Sequence, residues 1–471
     1  MKVLSPRSSI LSRTFLAVAL MPLAAPALDF PILKPSPAMF RAHRETFLAK
    51  LPPNSIAILR AAPLRVMSND VEYLYRQDSD FWYLTGIEDP EAIALLRPSA
   101  EDGKKYVVFV KPRDRRLETY EGPKVGPADA ASAFGADAAF STEEFAERLL
   151  DYDDPVGAEK VYLSDGGDIA WAETVRNRIA SMRSRDAGPS TVVDVREVLH
   201  EMRVVKDADE IALIRRATEI SGRGHVLAMK SAAPGRYEFE VQAALDGYCA
   251  ANGVRRMAYP SIAAAGPDSV FLHWYRNDRQ IQEGDVILND SGAQYGYYAT
   301  DITRTYPASG RFSAEQRAIY DVVLAAQKAA MAQIRPGVPF DRVGAAAARV
   351  QTEGLVRLGL LSGNVEKLVK QSGHRVFTRH GISHWVGLDV HDPGSYSAGV
   401  ASRPLEPGMV FTVEPGIYVG ADSGADRRWW NIGVRIEDVV LVTDTGYECL
   451  SCFVPREAGE VEKTVQSGKS P

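Results

Sequence analysis

Val286–Asp301 reads VILNDSGAQYGYYATD. Strand-forming residues flank Tyr295-Gly296 on both sides, a pattern that fits a tight β-hairpin turn. With those two residues as the turn, Gln294 pairs with Tyr297, and counting outward sets Asp290 opposite Asp301. Directly opposed residues carry β-carbons ~4.5–5.5 Å apart, so the two carboxylates would repel unless a cation lay between them. Metal ions ~3.5–4 Å apart and bridged by carboxylates fit such a gap. An equally open reading makes both aspartates ordinary turn residues, and a bulge would change the register.

Working outward, residues 380–392 read HGISHWVGLDVHD and hold three of the chain's eight histidines. His380 and His384 have the i, i+4 spacing of a zinc-binding helix. Gly381 and Ser383 interrupt it, however, and no Glu follows His380, so the segment reads as a glycine-bearing loop and strand. Glu414 ends a β-branched run, MVFTVEPG, where Pro415 stops strand pairing. In NIGVRIEDVVLVT the alternation puts Arg435 and Glu437 on one face, as a surface salt bridge or as part of a site. Taken together, Asp290, Asp301, His384, Glu414 and Glu437 are four carboxylates and one imidazole. These are hard donors suited to two divalent ions such as manganese, cobalt or zinc.

The order Asp, ten residues, Asp, then HGISHWVGLDVHD, TVEPG and GVRIED resembles the metallopeptidases of the pita-bread fold, and among them the aminopeptidase P and prolidase group. Upstream, Arg76-Gln-Asp-Ser-Asp-Phe-Trp-Tyr-Leu-Thr-Gly86 is similar to the N-terminal domain of bacterial aminopeptidases P, which methionine aminopeptidases lack. The resemblance implies an α/β N-terminal domain followed by a pita-bread catalytic domain with pseudo-twofold symmetry. It implies a dinuclear centre in which Asp301 and Glu437 bridge the ions, Asp290 holds one, and His384 with Glu414 the other. Glu414, His391 and His273 become the catalytic residues, and His380, Tyr418 and Arg435 the supporting residues of the substrate pocket. Two divalent ions, manganese foremost with cobalt or zinc as substitutes, are the implied cofactors. The implied activity is removal of the first residue from peptides with proline second. Alternatives are a prolidase limited to Xaa-Pro dipeptides, a metal-free creatinase-like relative, and a non-catalytic pita-bread binding module; the intact donor set argues against the last two. The pattern does not prescribe Arg427-Arg428-Trp429-Trp430-Asn431, nor Trp274 after His273.

At 471 residues the chain is too long for one ordinary core. Strand-like runs at Ser55–Leu59, Tyr106–Val110 and Lys160–Leu163, with a polar helical stretch at Thr142–Leu150, give an α/β domain over 38–197. The division falls near residues 195–207, and a catalytic domain follows over 207–455. There, Asp207 with Glu210 starts a helix running to about Met229, Glu238–Asn252 forms another, Ser313 with Gln316 caps one to about Ile334, and Phe340–Leu358 forms a fourth. Met229…Pro234-Gly235 and Met331…Pro336-Gly337 repeat the same helix break and suggest a duplicated unit.

The net charge of -6 and the lack of a basic stripe exclude phosphate-backbone recognition of nucleic acid. Lys2, Arg7 and Arg13, the apolar run Thr14–Ala27 and the ending Ala25-Pro26-Ala27 read as a signal peptide over 1–27, implying a periplasmic or secreted protein. The run is too short to span a bilayer. Three cysteines make no disulfide framework, and pairing of Cys449 with Cys452 stays open. The expected partners are peptide substrates and, through the N-terminal domain of the implied family, further copies in a homodimer or homotetramer.

Overall fold

Six strands make the sheet of the N-terminal half, in the order Ala138–Ser141, Tyr106–Val110, Ile93–Leu96, Ser55–Arg60, Lys160–Ser164, Thr191–Asp194. The three central strands pair antiparallel and the outer three join in parallel. Ser55–Arg60 is buried at every position, so SIAILR reads as a continuous run rather than an alternation: both faces are covered. Phe145, Leu149, Ala172, Val175 and Ile179, from helices Phe145–Asp151 and Ile169–Arg183, pack on one face with Ile56, Ile58, Val107 and Phe109. The computed structural model describes residues 30–151, 158–183 and 188–469; the leader expected over 1–27 lies outside them.

The second half is built from two helix pairs and their strands. Ala208–Ser231 packs on Glu238–Ala251, and Ala314–Met331 on Asp341–Arg357. Each pair breaks at its Pro-Gly, as the repeated motif led us to expect. Asp207 and Ser313 both form the capping boxes read from sequence, with Glu210 and Gln316. The first pair backs strands Ile262–Ala265, Ala293–Tyr295 and Tyr298–Ala299; the second backs Val410–Val413, Gly416–Val419 and Ile432–Arg435. The overall class is mixed α/β. A helix at Arg196–Val204 occupies the segment where the sequence marks the division.

The hairpin differs from expectation by one residue. Gly296 and Tyr297 are the turn, with φ of 53° and 71°, the two positive angles that a type I′ turn demands. Tyr295 therefore pairs with Tyr298, and Asp290 faces Thr303 on strand Thr303–Pro307 rather than Asp301. The aspartates still converge, because Asp301 follows the returning strand as unpaired chain beside the end of Val286–Asp290.

Buried ion pairs join distant segments. Arg304, without exposed surface, donates to Asp438 Oδ1 at 2.7 Å, to the carbonyl of Glu437 at 2.6 Å and to those of Thr303, Ser451, Val454 and Pro455. Such saturation is what a buried guanidinium requires. Arg203 bridges Asp80 (2.7 Å), Asp389 (2.7 Å) and Asp392 (2.6 Å), and Lys206 adds a contact to Asp392 at 3.1 Å. Arg76 reaches Asp389 and the carbonyl of Leu388, both at 2.9 Å, and Ser79 donates to Asp389. The Arg76–Gly86 motif thus clamps the loop of His391 from the N-terminal side.

Cys449 and Cys452 are disulfide-bonded, their Cα atoms 5.5 Å apart, while Cys249 is free and buried. Denatured without reductant, the protein is expected to titrate one thiol by alkylation and mass measurement; three would refute the bridge.

His43 joins the helix Pro37–Lys50 to the start of Ala208–Ser231. Its Nδ1 donates to the carbonyl of Tyr83 at 2.9 Å and its Nε2 to Asp207 Oδ2 at 3.0 Å, so both ring nitrogens carry protons. Burial opposes that charge, but Asp207 and Glu210 outweigh it and lift the ring to about 9. A raised histidine stabilises fully below its ordinary value near 6.5 and loses the contribution as pH climbs through 9. His43→Ala is therefore expected to cost about 2 kcal/mol at pH 6, in denaturant melts, and progressively less as pH rises from about 6.5 through 9. A pH-independent difference would contradict the charged latch.

Candidate metal centre

Each of the five candidate donors stands where a strand ends or breaks. Asp290 closes Val286–Asp290; Asp301 lies in the unpaired chain before Thr303–Pro307; Glu414 follows Val410–Val413; Glu437 falls between Ile432–Arg435 and Asp438–Val442. His384 lies in the loop before Trp385, which bridges to Phe411. At strand ends the ladder stops constraining the chain, so side chains from separate segments meet there.

The structure brings all five to one cavity of about 490 Å³, together with His273, His380, His391 and Arg435. Donor atoms of Asp301, His384 and Glu437 lie within 4.8 Å of one another. His384 Nε2 is 3.5 Å from Asp301 Oδ2 and 3.3 Å from Glu414 Oε1. Its Nδ1 meets the carbonyl of Trp385 at 3.1 Å. That contact fixes the proton on Nδ1 in the neutral ring and turns the Nε2 lone pair toward the carboxylates.

The electrostatics call for positive charge. Burial first, then repulsion from Asp301, Glu414 and Asp290, holds the Glu437 carboxyl well above its usual range. Burial pushes Glu414 up to about 7 despite His384, and burial with Asp290 raises Asp301. His384 rises to about 9 because Asp301 and Glu414 overcome its desolvation. Tyr259 sharpens the point. Its hydroxyl lies 2.6 Å from Asp290 Oδ1 and 2.5 Å from Asp301 Oδ1, yet a phenol has one proton to give. The other carboxylate oxygen is left facing an oxygen. Hard oxygen and imidazole donors around a deficit of positive charge are the chemistry that a pair of divalent cations satisfies.

The surrounding groups are fixed. Arg435 Nη2 pairs with Asp290 Oδ2, Nη1 donates to the Tyr418 hydroxyl at 2.8 Å, and Nε to Thr303 Oγ1 at 3.1 Å. Thr303 in turn donates to Glu437 Oε2 at 2.6 Å. The Tyr418 hydroxyl donates to His380 Nε2 at 2.7 Å, and His380 Nδ1 to the carbonyl of Gly381. Burial, helped by Arg435, lowers His380 to about 4 and keeps it neutral. Arg435 and Glu437 are both buried and belong to the site, not to a surface salt bridge. Tyr418 differs from its expected place: it has no exposed surface and stands behind His380 and Arg435 instead of lining the cavity. His391 faces His384, ring centroids 4.3 Å apart. Tyr259, Thr303 and Thr412, whose hydroxyl meets the His384 amide and Glu414, went unread in the sequence. Thr303, two residues after Asp301, carried the only local hint.

Two further donor clusters occur among the described residues, and both are already engaged. Asp438, Cys449 and Cys452 are tied up in the disulfide and the Arg304 pair; His43, Asp207 and Glu210 form the helix cap.

Residues 212–444 match the family described as Metallopeptidase family M24, and residues 40–162 match Aminopeptidase P, N-terminal domain. The chain is 38% identical over 428 residues to an Xaa-Pro aminopeptidase of Escherichia coli (strain K12), covering 90% of this chain and 96% of that protein. With an Xaa-Pro aminopeptidase of Haemophilus influenzae it is 39% identical over 424 residues, again covering 90% and 96%. Among solved structures, aminopeptidase PepP of Pseudomonas aeruginosa superposes with a TM-score of 0.90 at 40% identity, covering 93% of this chain and all of that one. Family membership carries with it a dinuclear divalent metal centre and metallo-exopeptidase chemistry. The chain belongs to the aminopeptidase P family of M24 metallopeptidases.

Proposed function

We propose that this enzyme removes the first residue from peptides whose second residue is proline, using two manganese ions. The observation that carries the reading is the convergence of Asp290, Asp301, His384, Glu414 and Glu437 on one cavity. Asp290, Asp301, His384, Glu414 and Glu437 would hold the ions. When bound, such ions supply Lewis acidity and lower the pKa of water toward neutrality. Glu414, on the cavity wall 3.3 Å from His384 Nε2, would take a proton and pass it to the departing nitrogen. His391 and His273, on the cavity wall, donate to the carbonyl oxygen as charge develops there. Arg435 holds Asp290 in place to receive the free amine, which restricts cleavage to the first peptide bond. Tyr418 orients His380 and Arg435 from behind. The proline preference is supported by the relatives named Xaa-Pro aminopeptidase.

The same reading includes a domain division into 38–197 and 207–455, and export of the mature chain to the periplasm or medium after removal of 1–27. The Cys449–Cys452 bridge suits an oxidising compartment. No described helix is long and apolar enough to cross a membrane. Homo-oligomerisation as a dimer or tetramer is supported by exposed Val66, Met67, Val71, Tyr73 and Leu74 on and beside the hairpin formed by Val66–Ser68 and Val71–Glu72.

Mass detection of the amino acid released from Ala-Pro-Leu is the direct test. We expect release to stop after chelation and return with manganese, and Glu414→Gln to lower kcat by about 10²–10⁴-fold. Cleavage of Ala-Pro alone, with the tripeptide untouched, would make the enzyme a dipeptidase instead. Tyr259→Phe is expected to keep the fold but weaken metal retention about 10–100-fold, read by metal analysis after dialysis; full retention would remove Tyr259 from the support of the site.

A further inference from the structure

The segment Phe271–Tyr275, FLHWY, enters the cavity wall between the short 3₁₀ helix Gly266–Val270 and the strand Val286–Asp290. It is pinned from beneath. Trp274 Nε1 donates to Glu238 Oε2 at 3.0 Å, and Glu238, fully buried, also accepts from the amides of Ala265 (2.6 Å) and Arg279 (3.1 Å). Phe271 stacks on Trp274 with centroids 5.5 Å apart. Leu272 packs with Ile262 and Tyr418. With its neighbours held in this way, the segment presents two rings to the cavity: His273 and, stacked against it at 5.7 Å and 18°, Tyr275.

Tyr275 is 47% exposed. Its hydroxyl has no hydrogen-bond partner among the described residues, and the charges bearing on it are Asp290, then Arg435 and Asp301. Ile262 pairs opposite Asp290 across the strands Ile262–Ala265 and Val286–Asp290, and Leu272 packs on the cluster that holds Ile262, so the segment borders the amine-receiving end of the cavity. A substrate whose amine meets Asp290 must project the side chain of its first residue toward the nearest apolar wall. That wall is Ile262, Leu272 and Tyr275. The mouth formed there is aromatic on one side, apolar on the floor and open to solvent, with one unused hydroxyl at its rim.

We propose that Tyr275 is the specificity-determining wall for the side chain of the departing first residue, favouring large apolar and aromatic residues there. The assignment rests on the peptidase reading above. It needs no movement of the chain, since Trp274 and Glu238 fix the segment independently of substrate. A flat aromatic wall gains contact with each added carbon of the first side chain and gives glycine nothing to touch. The hydroxyl, free at the rim, adds a polar partner for a first residue such as tyrosine but is not required for phenylalanine.

The test compares kcat/KM for Phe-Pro-Leu and Gly-Pro-Leu in the manganese-loaded full chain and in Tyr275→Ala, Tyr275→Leu and Tyr275→Phe. Tyr275→Ala should lower the Phe/Gly ratio about tenfold, the scale on which a hydrophobic pocket discriminates, chiefly through KM. Tyr275→Leu should lower it less, and Tyr275→Phe should keep it within about threefold. A ratio unchanged in the alanine and leucine variants, whatever happens to the absolute rates, overturns the assignment while leaving the peptidase reading intact. Failure of the unsubstituted enzyme to release a first residue from either tripeptide overturns both.

Discussion

Like charges do not gather in a protein interior without a reason, and everything else in the catalytic half follows from one such gathering. Four carboxylates from four chain segments share one cavity with His384 and three further imidazoles, His273, His380 and His391. Lost hydration and mutual repulsion raise the carboxyls of Asp301, Glu414 and Glu437, the attraction of Asp301 and Glu414 raises His384 against its own desolvation, and the Tyr259 hydroxyl answers only one of the two aspartates it touches. Breaking up a buried charge pair typically costs ~3–5 kcal/mol. A fold that kept this cluster without counter-ions would have to recover a penalty of that order from its packing.

The scaffold beneath is correspondingly stiff. Arg304 ties the backbone of Glu437 to Asp438 and to the segment 451–455, so the strand break that releases the Glu437 side chain is held by every donor of one guanidinium. Gln327 and Arg456 complete the shell around Asp438. Arg435, Thr303 and Tyr418 then transmit that rigidity to Asp290 and His380. Saturated polar networks of this kind resist local rearrangement, because any displacement strands a buried donor.

Much of this was legible in the sequence, and what was not has a physical explanation. Capping boxes at Asp207 and Ser313 are local chemistry, so a window of four residues sufficed. The donor set was legible because Asp290 and Asp301 flank a hairpin pattern, Glu414 precedes Pro415 at the end of a β-branched run, Glu437 sits in an alternating strand, and His384 lies in a loop rich in histidine and glycine. The hairpin register was not. Tyr297 adopts a left-handed angle that tyrosine seldom takes, so residue preference pointed to a turn at Tyr295-Gly296. Nor was Tyr259, which reaches its carboxylates across 31 and 42 residues of chain from a segment with no periodic or compositional mark. Whether Cys449 and Cys452 pair depends on the bend after the strand Tyr447–Cys449, a feature no spacing rule encodes.

The clamp on the His391 loop carries an architectural lesson. Asp389 and Asp392 find their counter-charges in Arg76, Arg203 and Lys206, all of which precede Asp207 in the chain. A fragment trimmed to begin at the capping residue of the long helix would keep every donor of the cavity and still leave two acids, one of them buried, without counter-charges. The amino-terminal half is thus no detachable accessory: Arg76, Arg203 and Lys206 hold the two acids that flank Val390 and His391, the residues of that loop on the cavity wall.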